Sequence, residues 1–242
     1  MSVRLMVTRP REDADALAQA LAERGFDPVL EPLMSIDYIA GPPLDLDGVQ
    51  ALLATSANGV RAFANRDPRR HLPIYAVGDA TARAASEAGF AAVSSASGDV
   101  AALAALVIER LDAQRGDLIH VAGTRLAGDL AGMLAEHGFS YRREVLYQAH
   151  TAAALSDGAV RDLEGGALDG VIFFSARTAA AFAGLVRQAG IEGTLGRLAA
   201  FCLSPAVAGE AETLSWGRVV IADKPEQDAL VRSIEEWRAA RD

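Results

Sequence analysis

The stretch "TSANGVRAFA", residues Thr55–Ala64, follows the apolar run "VQALL", and it resembles "SARTAAAFA", residues Ser175–Ala183, which follows "DGVIFF". In both places an apolar run ends in a Ser-containing loop and the chain then becomes rich in Ala. Such a pattern is typical of a buried strand that leads into a helix. Asn58-Gly59 could also form a hairpin turn, but the Ala-rich run after it favours a helix start. The sequence therefore predicts a strand-to-helix unit that occurs twice.

The repeat extends beyond these two stretches. Four consecutive segments of the first half have counterparts in the second half in the same order. The matching features are Gly25-Phe26 with Gly138-Phe139, Ser56 with Ser175, "IYAVGDATARAA" with "AAFCLSPAVAGEA", and "VSSASGDVAALAALVIERL" with "VIADKPEQDALVRSIEEW". An ordered series of this kind indicates a duplicated structural unit.

Ten short apolar runs alternate with helical segments such as Glu12–Arg24 and Gln227–Arg238. This alternation predicts an α/β fold of parallel sheets with helices on their faces. One open sheet of ten strands would be unusually wide for this chain, so we expect two five-stranded sheets. The strand-like runs are Val3–Thr8, Pro28–Pro32, Val49–Thr55, Pro73–Val77, Ala91–Ser95, Asp117–Val121, Arg143–Tyr147, Gly170–Phe174, Leu198–Leu203 and Arg218–Ala222.

Two segments, Glu31–Gly48 and Glu144–Gly158, continue in extended form beyond their predicted strands. They occupy equivalent places in the repeat and could pair as a two-stranded connector. Such a connector would place one domain between them in sequence and build the other from both chain ends. We therefore expect a discontinuous domain of residues 1–36 and 156–242, a second domain of residues 45–148, and a connector of residues 37–44 and 149–155.

The bulk composition excludes several classes of protein. With 242 residues and 51% hydrophobic content, the chain can bury a substantial core. Its net charge of −9 argues against a general nucleic-acid surface. A single cysteine, Cys202, excludes an internal disulfide and fits a reducing compartment. No apolar run reaches membrane-spanning length and the N-terminal one is too short for a signal peptide, so we expect a soluble cytoplasmic protein.

The loops after the predicted strands are the candidates for ligand binding, because ligands of parallel sheets bind at the carboxyl ends of the strands. Most of these loops open a helix, whose N-terminal N–H groups favour anions. Each Ser, Thr or Asn is also an ordinary helix N-cap, so a capping role remains the alternative for every one of them. The candidate residues are Arg9, Thr55, Ser56, Asn58, Gly78, Thr81, Gly123, Arg125, Ser175 and Ser204.

The common cofactor motifs do not occur. No G-x-G-x-x-G opens a helix, and although Gly123 and Gly128 have P-loop spacing, Asp129 stands where Lys is required. There is no G-x-S-x-G nucleophile motif. Cys202 lies in an apolar run and is expected to be inert core. Since the four histidines, His71, His120, His137 and His150, lack ligand spacing, we expect no metal site.

Tyr147, in "VLYQAH", differs from the other candidates because it lies at the start of the second overlong strand. One interpretation is structural: a half-buried aromatic that clamps the connector. The other is catalytic: a phenol that donates a proton or a hydrogen bond to a leaving group. Both interpretations stand at this point.

Taken in order, these loops resemble those of the uroporphyrinogen-III synthase family, and the resemblance runs over nearly the whole chain. No single motif is specific, but their order, their spacing and the internal repeat together are. The stretches that carry the resemblance are "TRP" at Thr8–Pro10, "TSANGV" at Thr55–Val60, "VGDATA" at Val77–Ala82, "VAG" at Val121–Gly123, "LYQ" at Leu146–Gln148 and "FFSA" at Phe173–Ala176.

The resemblance implies two flavodoxin-like α/β domains joined by a two-stranded ladder, with the active site in the cleft. It implies a lyase that removes the terminal hydroxyl of hydroxymethylbilane as water. The chain of pyrroles then closes with inversion of its last ring, giving uroporphyrinogen III for tetrapyrrole biosynthesis. The family uses no cofactor or metal. We expect a monomer that makes at most transient contact with the upstream hydroxymethylbilane synthase.

The resemblance also implies roles for single residues. Tyr147 matches the tyrosine proposed to assist departure of the hydroxyl, and Thr81 and Ser175 match loop residues that contact substrate carboxylates. The second copy of the "VGDATA" loop departs from the pattern, because Pro205 stands where Thr81 stands and can donate no hydrogen bond. Ser204 is the remaining candidate in that loop. The alternative function is a non-catalytic two-lobed sensor that closes on an anionic metabolite.

Overall fold

The computed structural model describes residues 2–125 and 128–241. The chain divides into two compact units, Met1–Ser35 with His150–Asp242 and Ile36–Ala149. Its elements in chain order are β1 (Arg4–Val7), α1 (Arg11–Glu23), β2 (Asp27–Leu30), β3 (Met34–Tyr38), β4 (Val49–Ala54), α2 (Ala57–Arg66), β5 (Ile74–Ala76), α3 (Asp79–Glu87), β6 (Val93–Ser95), α4 (Val100–Arg110), β7 (Asp117–Gly123), α5 (Leu130–Ala135), β8 (Tyr141–Thr151), α6 (Asp157–Glu164), β9 (Gly170–Phe173), α7 (Ala176–Ala189), a 3-10 helix (Glu192–Arg197), β10 (Ala199–Cys202), α8 (Pro205–Ala211), β11 (Arg218–Ile221) and α9 (Gln227–Ala239).

The first unit is built on a five-stranded sheet with the strand order β11-β10-β9-β1-β2. All of its strand pairs are parallel. One face packs an apolar core against α6, α7 and α8, and the other packs one against α1 and α9. Large fully buried side chains fill these cores, among them Phe173, Phe182 and Phe201. The predicted architecture of a parallel sheet covered on both faces is confirmed for this unit.

The second sheet has the strand order β3-β8-β7-β4-β5-β6. Strands β8, β7, β4, β5 and β6 pair in parallel. It therefore has six strands, whereas the sequence predicted five. The additional strand is β3, which lies in the overlong segment Glu31–Gly48. The predicted pairing of this segment with Glu144–Gly158 is confirmed, since β3 lies beside β8, but the pair forms the edge of the second sheet. β3 joins the edge because β8 is 11 residues long and extends past β7, leaving backbone groups that β3 can pair with, as in the hydrogen bond from the Ile39 N–H to the Leu146 carbonyl.

A Gly-Phe pair ends helices in both units and explains part of the sequence repeat. Gly25 follows α1 with φ of +79° and Gly138 follows α5 with φ of +78°, a left-handed conformation that glycine adopts without strain. The next residue donates its N–H back into the helix, Phe26 to Leu21 at 3.1 Å and Phe139 to Leu134 at 3.2 Å. Both phenylalanines are buried. This is the Schellman ending with its apolar contact, and it returns the chain to the sheet.

Asp67, at the end of α2, is hydrogen-bonded to the segment that precedes β4. Its carboxylate is buried and accepts hydrogen bonds from the Leu44 N–H at 3.1 Å and from the Arg69 Nε at 2.9 Å and Nη2 at 2.6 Å. The hydrogen bond from Arg69 is the main reason that the pKa of Asp67 falls to about 2. A buried carboxylate needs such partners, because an unpaired charge in the interior is strongly destabilising.

Candidate functional site

In the second unit, β4 lies between β7 and β5 and runs parallel to both. The loops that follow these three strands therefore meet at one edge of the sheet. This arrangement brings together most of the residues that the sequence singled out. They are Thr55, Ser56 and Asn58 after β4, Gly78 and Thr81 after β5, Gly123 at the end of β7, and Arg125 in the next loop.

The loop after β4 forms the N-terminus of α2. Ser56 is the N-cap, and its hydroxyl accepts a hydrogen bond from the Asn58 N–H at 3.1 Å. The side-chain amide oxygen Oδ1 of Asn58 accepts a hydrogen bond from Arg61 Nη1 at 3.2 Å. No acidic residue lies in the first turn of α2. The positive end of the helix dipole is therefore not neutralised by the chain itself at this loop.

Gly59 allows α2 to approach β7 closely. A Cβ atom at this position would lie 2.2 Å from the carbonyl oxygen of Val121, a backbone atom that cannot move aside easily. Gly59 is therefore required by packing rather than by its backbone conformation. The close approach fixes the start of α2, with Ser56 and Asn58, relative to β7.

The loop after β5 differs in charge. Gly78 is the N-cap of α3 and supplies no side-chain cap, while Asp79 puts a carboxylate in the first turn. That carboxylate accepts hydrogen bonds from Ser95 at 2.6 Å and Ser97 at 2.8 Å, and these bonds lower the pKa of Asp79. The helix start at Gly78 thus already holds a negative charge. Thr81, which the sequence predicted as a ligand contact, is buried at 6% exposure.

Tyr147 and Gly123 face each other across β8 and β7, where the register between these strands shifts. The phenol ring lies against the Gly123 backbone: a Cβ atom on Gly123 would come within 2.6 Å of the ring carbon Cζ. The Tyr147 carbonyl accepts a hydrogen bond from the Thr124 N–H at 3.1 Å. In the part of the chain that the structure describes, the Tyr147 hydroxyl has no hydrogen-bond partner.

Arg143, on β8, supports the loop after β7. Its Nη2 donates to the carbonyls of Gly123 at 2.5 Å and Thr124 at 2.9 Å. Arg125, the predicted cation of this loop, is exposed. Residues 126 and 127, which follow Arg125 in this loop, lie outside the described part of the chain.

His120 is a site residue that the sequence analysis missed. It lies in β7 at 2% exposure, and its two ring nitrogens contact two hydroxyls: Nε2 lies 2.9 Å from Thr55 Oγ1 and Nδ1 lies 2.6 Å from the Tyr141 hydroxyl. Burial, and then the positive charge of Arg143, lower the pKa of His120 to about 4. The imidazole is therefore neutral near pH 7. The signal in the sequence was a single polar residue inside the apolar strand "LIHVAG".

In the first unit, the loops after β10, β9 and β1 likewise follow neighbouring parallel strands. They carry Ser204, Ser175 and Arg9, respectively. Ser175 caps α7 by accepting from the Thr178 N–H at 3.1 Å, and its hydroxyl lies 2.7 Å from the Thr178 hydroxyl. Ser204 stands at the N-cap of α8 without making a side-chain cap hydrogen bond. Neither helix has an acidic residue in its first turn.

Arg9 is held by its own unit. The guanidinium donates to Gln227 at 2.8 Å, lies 3.6 Å from the Asp13 carboxylate, and stacks 4.1 Å from the ring centroid of Phe174. These contacts link α1, α9 and the end of β9. A ligand contact by Arg9 would compete with them.

Cys202 has 0% exposure in β10, and burial is the main reason that the pKa of its thiol rises to about 12, so the thiolate nucleophile is not available. Among residues 2–125 and 128–241, no three His, Cys, Asp or Glu side chains form a group that could hold a metal ion. Within the same described residues, no helix combines the length and the apolar character needed to cross a membrane.

Comparison with known proteins gives a family match over most of the chain. The family model of uroporphyrinogen-III synthase HemD matches residues 15–232. A curated relative from Methanocaldococcus jannaschii, which carries a uroporphyrinogen-III synthase name, is 30% identical over 87 residues. That match spans 34% of this chain and 36% of the relative, so it covers only about a third of either protein.

Solved structures show the same fold. The uroporphyrinogen-III synthetase of Helicobacter pylori matches with a TM-score of 0.64 at 18% identity, covering 98% of this chain and 100% of that one. A mutant uroporphyrinogen III synthase of the extremely thermophilic bacterium Thermus thermophilus matches with a TM-score of 0.54 at 20% identity, covering 97% and 100%. Because the family model extends over nearly all of the sequence, this chain belongs to the uroporphyrinogen-III synthase HemD family.

Proposed function

We propose that this chain dehydrates hydroxymethylbilane and closes it, with inversion of the terminal pyrrole ring, to uroporphyrinogen III. Membership of the HemD family supports the activity. The single structural observation that supports it most is the Tyr147 phenol, which lies against Gly123 at the carboxyl end of β7. This placement offers a proton donor at the sheet edge where the candidate binding loops also end.

The reaction makes modest demands on acid–base chemistry and large demands on geometry. Loss of a hydroxyl from a carbon attached to a pyrrole is assisted by the electron-rich ring. Closure without an enzyme gives the type I isomer, in which the last ring is not inverted. The protein must therefore hold a flexible polycarboxylate in the conformation that closes with inversion, which is a task of proximity and orientation.

In this proposal Tyr147 assists the departure of the hydroxyl. The phenol transfers its proton to the leaving oxygen, which departs as water while the adjacent carbon is left as a pyrrole-stabilised cation. Closure onto the last pyrrole ring later releases a proton, which restores the phenol. Support comes from the hydroxyl of Tyr147, which within the described residues is engaged by no protein group. Gly123 contributes by letting the ring lie against the backbone, and it is a positioning residue in this account.

In the second unit, a substrate carboxylate is proposed to bind at the loop after β4, where α2 begins with the capping Ser56 and with no acidic residue in the first turn. In the first unit, the loop after β9 has the same features at Ser175, where α7 begins, and Ser175 is the proposed contact of that unit. A helix N-terminus of this kind favours an anion. Thr55 and Asn58 add a hydroxyl and an amide beside the first of these loops, and Arg125 adds an exposed cation.

The remaining candidates are weaker anion contacts. Asp79 places a negative charge at the α3 start beside Gly78 and Thr81 and would repel a carboxylate there. Arg9 is engaged with Gln227 and Phe174. Gly78, Thr81, Arg9 and Ser204 remain proposed substrate contacts, secondary to those of Ser56 and Ser175.

Independence from a cofactor, a monomeric state and a cytoplasmic location belong to the same proposal. Loss of water and ring closure change no overall oxidation state, so the reaction as written needs no redox partner. A single buried cysteine agrees with a reducing compartment, where disulfides are rare.

The decisive experiment adds the purified protein to hydroxymethylbilane as it is formed and resolves the porphyrin isomers after oxidation. The expected product is the type III isomer in large excess. A product mixture equal to the type I product of the control without protein would overturn the proposal. If such a protein still bound the bilane, the non-catalytic sensor would become the better interpretation, although family membership does not favour it.

A further inference from the structure

A chain of three side chains crosses β4, β7 and β8 beneath the candidate site of the second unit. His120 stands in the middle, with Thr55 on its Nε2 side at 2.9 Å and Tyr141 on its Nδ1 side at 2.6 Å. Thr55 follows β4 directly and Tyr141 begins β8, so both partners are carried by the strands adjacent to β7. His120 itself is 2% exposed and cannot reach a ligand.

The imidazole of His120 is neutral under ordinary conditions. It is removed from water, and the guanidinium of Arg143 stands close enough to disfavour a second positive charge, so its pKa is lowered to about 4. A neutral imidazole has one N–H donor and one bare nitrogen that accepts. The two hydroxyls must therefore play opposite roles toward it.

The geometry indicates which of the two hydroxyls donates a hydrogen bond to the imidazole and which accepts one. In the described part of the chain, Tyr141 has no other hydrogen-bond partner for its hydroxyl. Burial raises the pKa of Tyr141, so the phenol keeps its proton. The distance of 2.6 Å between the Tyr141 hydroxyl and Nδ1 is shorter than the usual bond from an N–H donor and lies in the range of O–H donors. Tyr141 donating to Nδ1 leaves the proton on Nε2, which then donates to Thr55.

We propose that His120 is a positioning residue that makes Thr55 a hydrogen-bond donor toward the anionic substrate. The Nε2–H occupies a lone pair of the Thr55 oxygen, so the threonine proton turns away from the histidine and toward the sheet edge. A carboxylate accepts hydrogen bonds and donates none. The histidine therefore selects the one hydroxyl orientation that a carboxylate can use. This inference rests on the proposed function, which places Thr55 against the substrate.

The first test needs no catalysis. The protein is labelled with ¹⁵N-histidine, and long-range ¹H–¹⁵N spectra at pH 7 report the tautomer of each imidazole. His120→Asn identifies the signals of His120. The expected result is a neutral ring protonated on Nε2. A ring protonated on Nδ1, or an imidazolium, would overturn the proposed direction of the relay, whatever the outcome of the activity assay.

The second test replaces His120 by Gln or by Asn, two residues whose side-chain amides lie at different distances from the backbone. Gln at position 120 carries its terminal amide at about the distance of Nε2 from the backbone and can still donate to Thr55, while Asn reaches only as far as Nδ1, toward Tyr141. We expect His120→Asn to raise KM about tenfold with little change in kcat, the effect of one lost hydrogen bond to a charged group. His120→Gln should raise KM by about threefold or less.

Comparing His120→Asn with His120→Gln separates a positioning role of His120 from a general effect on stability. Thermal unfolding is measured for both variants. If the less stable variant had the higher KM whichever amide it carries, the inference would be contradicted. Equal KM values in two folded variants would contradict it as well. If the wild-type protein forms no type III isomer, the proposed function fails, and the measured tautomer still decides whether the relay is directed as argued.

Discussion

The ring of Tyr147 rests on the backbone of Gly123, so closely that a single added Cβ would lie 2.6 Å from Cζ and 3.0 Å from the hydroxyl oxygen. Real Cβ atoms do not approach other atoms so closely, and one of the two groups would have to move. Since Gly123 lies in a buried strand and Tyr147 is half-buried, the ring would be the group that moves. The position of the phenol therefore depends on the absence of a side chain one strand away.

Gly123→Ala should displace the phenol without unfolding the protein. We expect kcat to fall by at least about tenfold, because small displacements of a reacting group are costly, while KM changes little. The measurement is the initial rate of type III isomer formation. Gly184→Ala is the matched control, since a Cβ at that helical position meets no atom within 4 Å. Full activity of Gly123→Ala would show that the ring position is irrelevant.

Tyr147→Phe should separate the hydroxyl from the packing of the ring. The aromatic contact with Gly123 is retained, so we expect an unchanged unfolding temperature together with a loss in kcat of about a hundredfold, the usual worth of a positioned proton donor. Single-turnover rates and circular dichroism test both parts. Tyr75→Phe, in the core on the other face of this sheet, serves as the comparison. If Tyr147→Phe kept its turnover, Tyr147 would be a structural residue of the long strand β8.

Asn58→Asp should have opposite effects on stability and on substrate binding. A carboxylate in the first turn of α2 complements the helix dipole and should stabilise the fold by about 0.3 to 1 kcal/mol. The same charge should repel the carboxylates of the substrate and raise KM severalfold. Urea unfolding and steady-state kinetics measure the two effects, with Asn58→Ser as the uncharged comparison. A lower or unchanged KM in the Asp variant would rule out an anion at this helix start.

Gly59→Ala should destabilise the second unit, because its Cβ would collide with the Val121 carbonyl at 2.2 Å. A backbone atom cannot turn aside as a side chain can, so α2 must shift from β7. We expect a loss of about 1 to 3 kcal/mol in the free energy of unfolding, measured by denaturant titration. Gly209→Ala, in α8 with no atom within 4 Å, should instead be neutral or slightly stabilising. Equal stability of the two variants would contradict the close packing.

His120 should make the protein sensitive to mild acid. Its pKa falls from 6.5 to about 4 on folding, so the unfolded chain binds the proton more tightly than the folded one. The free energy of unfolding therefore decreases as the pH falls from 6.5 toward 4, by about 2 to 3 kcal/mol from this group. His120→Gln should lack that part of the decrease. Denaturant titrations of both proteins at pH 7, 5.5 and 4 compare the slopes, and parallel curves would argue against a buried neutral histidine.

Much of the fold could be predicted from local pattern. The ten strand-like runs all became strands, and the repeated Gly-Phe pair ends helices in each half because left-handed glycine and a following buried aromatic are both local features. The pairing of β3 with β8 was predicted from two overlong segments, but the place of β3 as the sixth strand of the second sheet was not. That place depends on β8 also pairing with β7, and no local pattern records which strands become neighbours in a sheet.

The candidate site, like the fold, was predictable from the sequence only where it depends on local features. The sequence by itself determined that Thr55, Ser56 and Ser175 stand where strands end and helices begin, because apolar period and capping chemistry are local. Only the tertiary structure decided that the Tyr147 ring packs against Gly123. It also decided that His120 lies between the hydroxyls of Thr55 and Tyr141. The negative charge at the N-terminus of α3, from Asp79, became apparent in the same way. These relationships join residues from neighbouring strands and loops, and their effect comes from close packing and from the removal of water, which exist only once the sheet has formed.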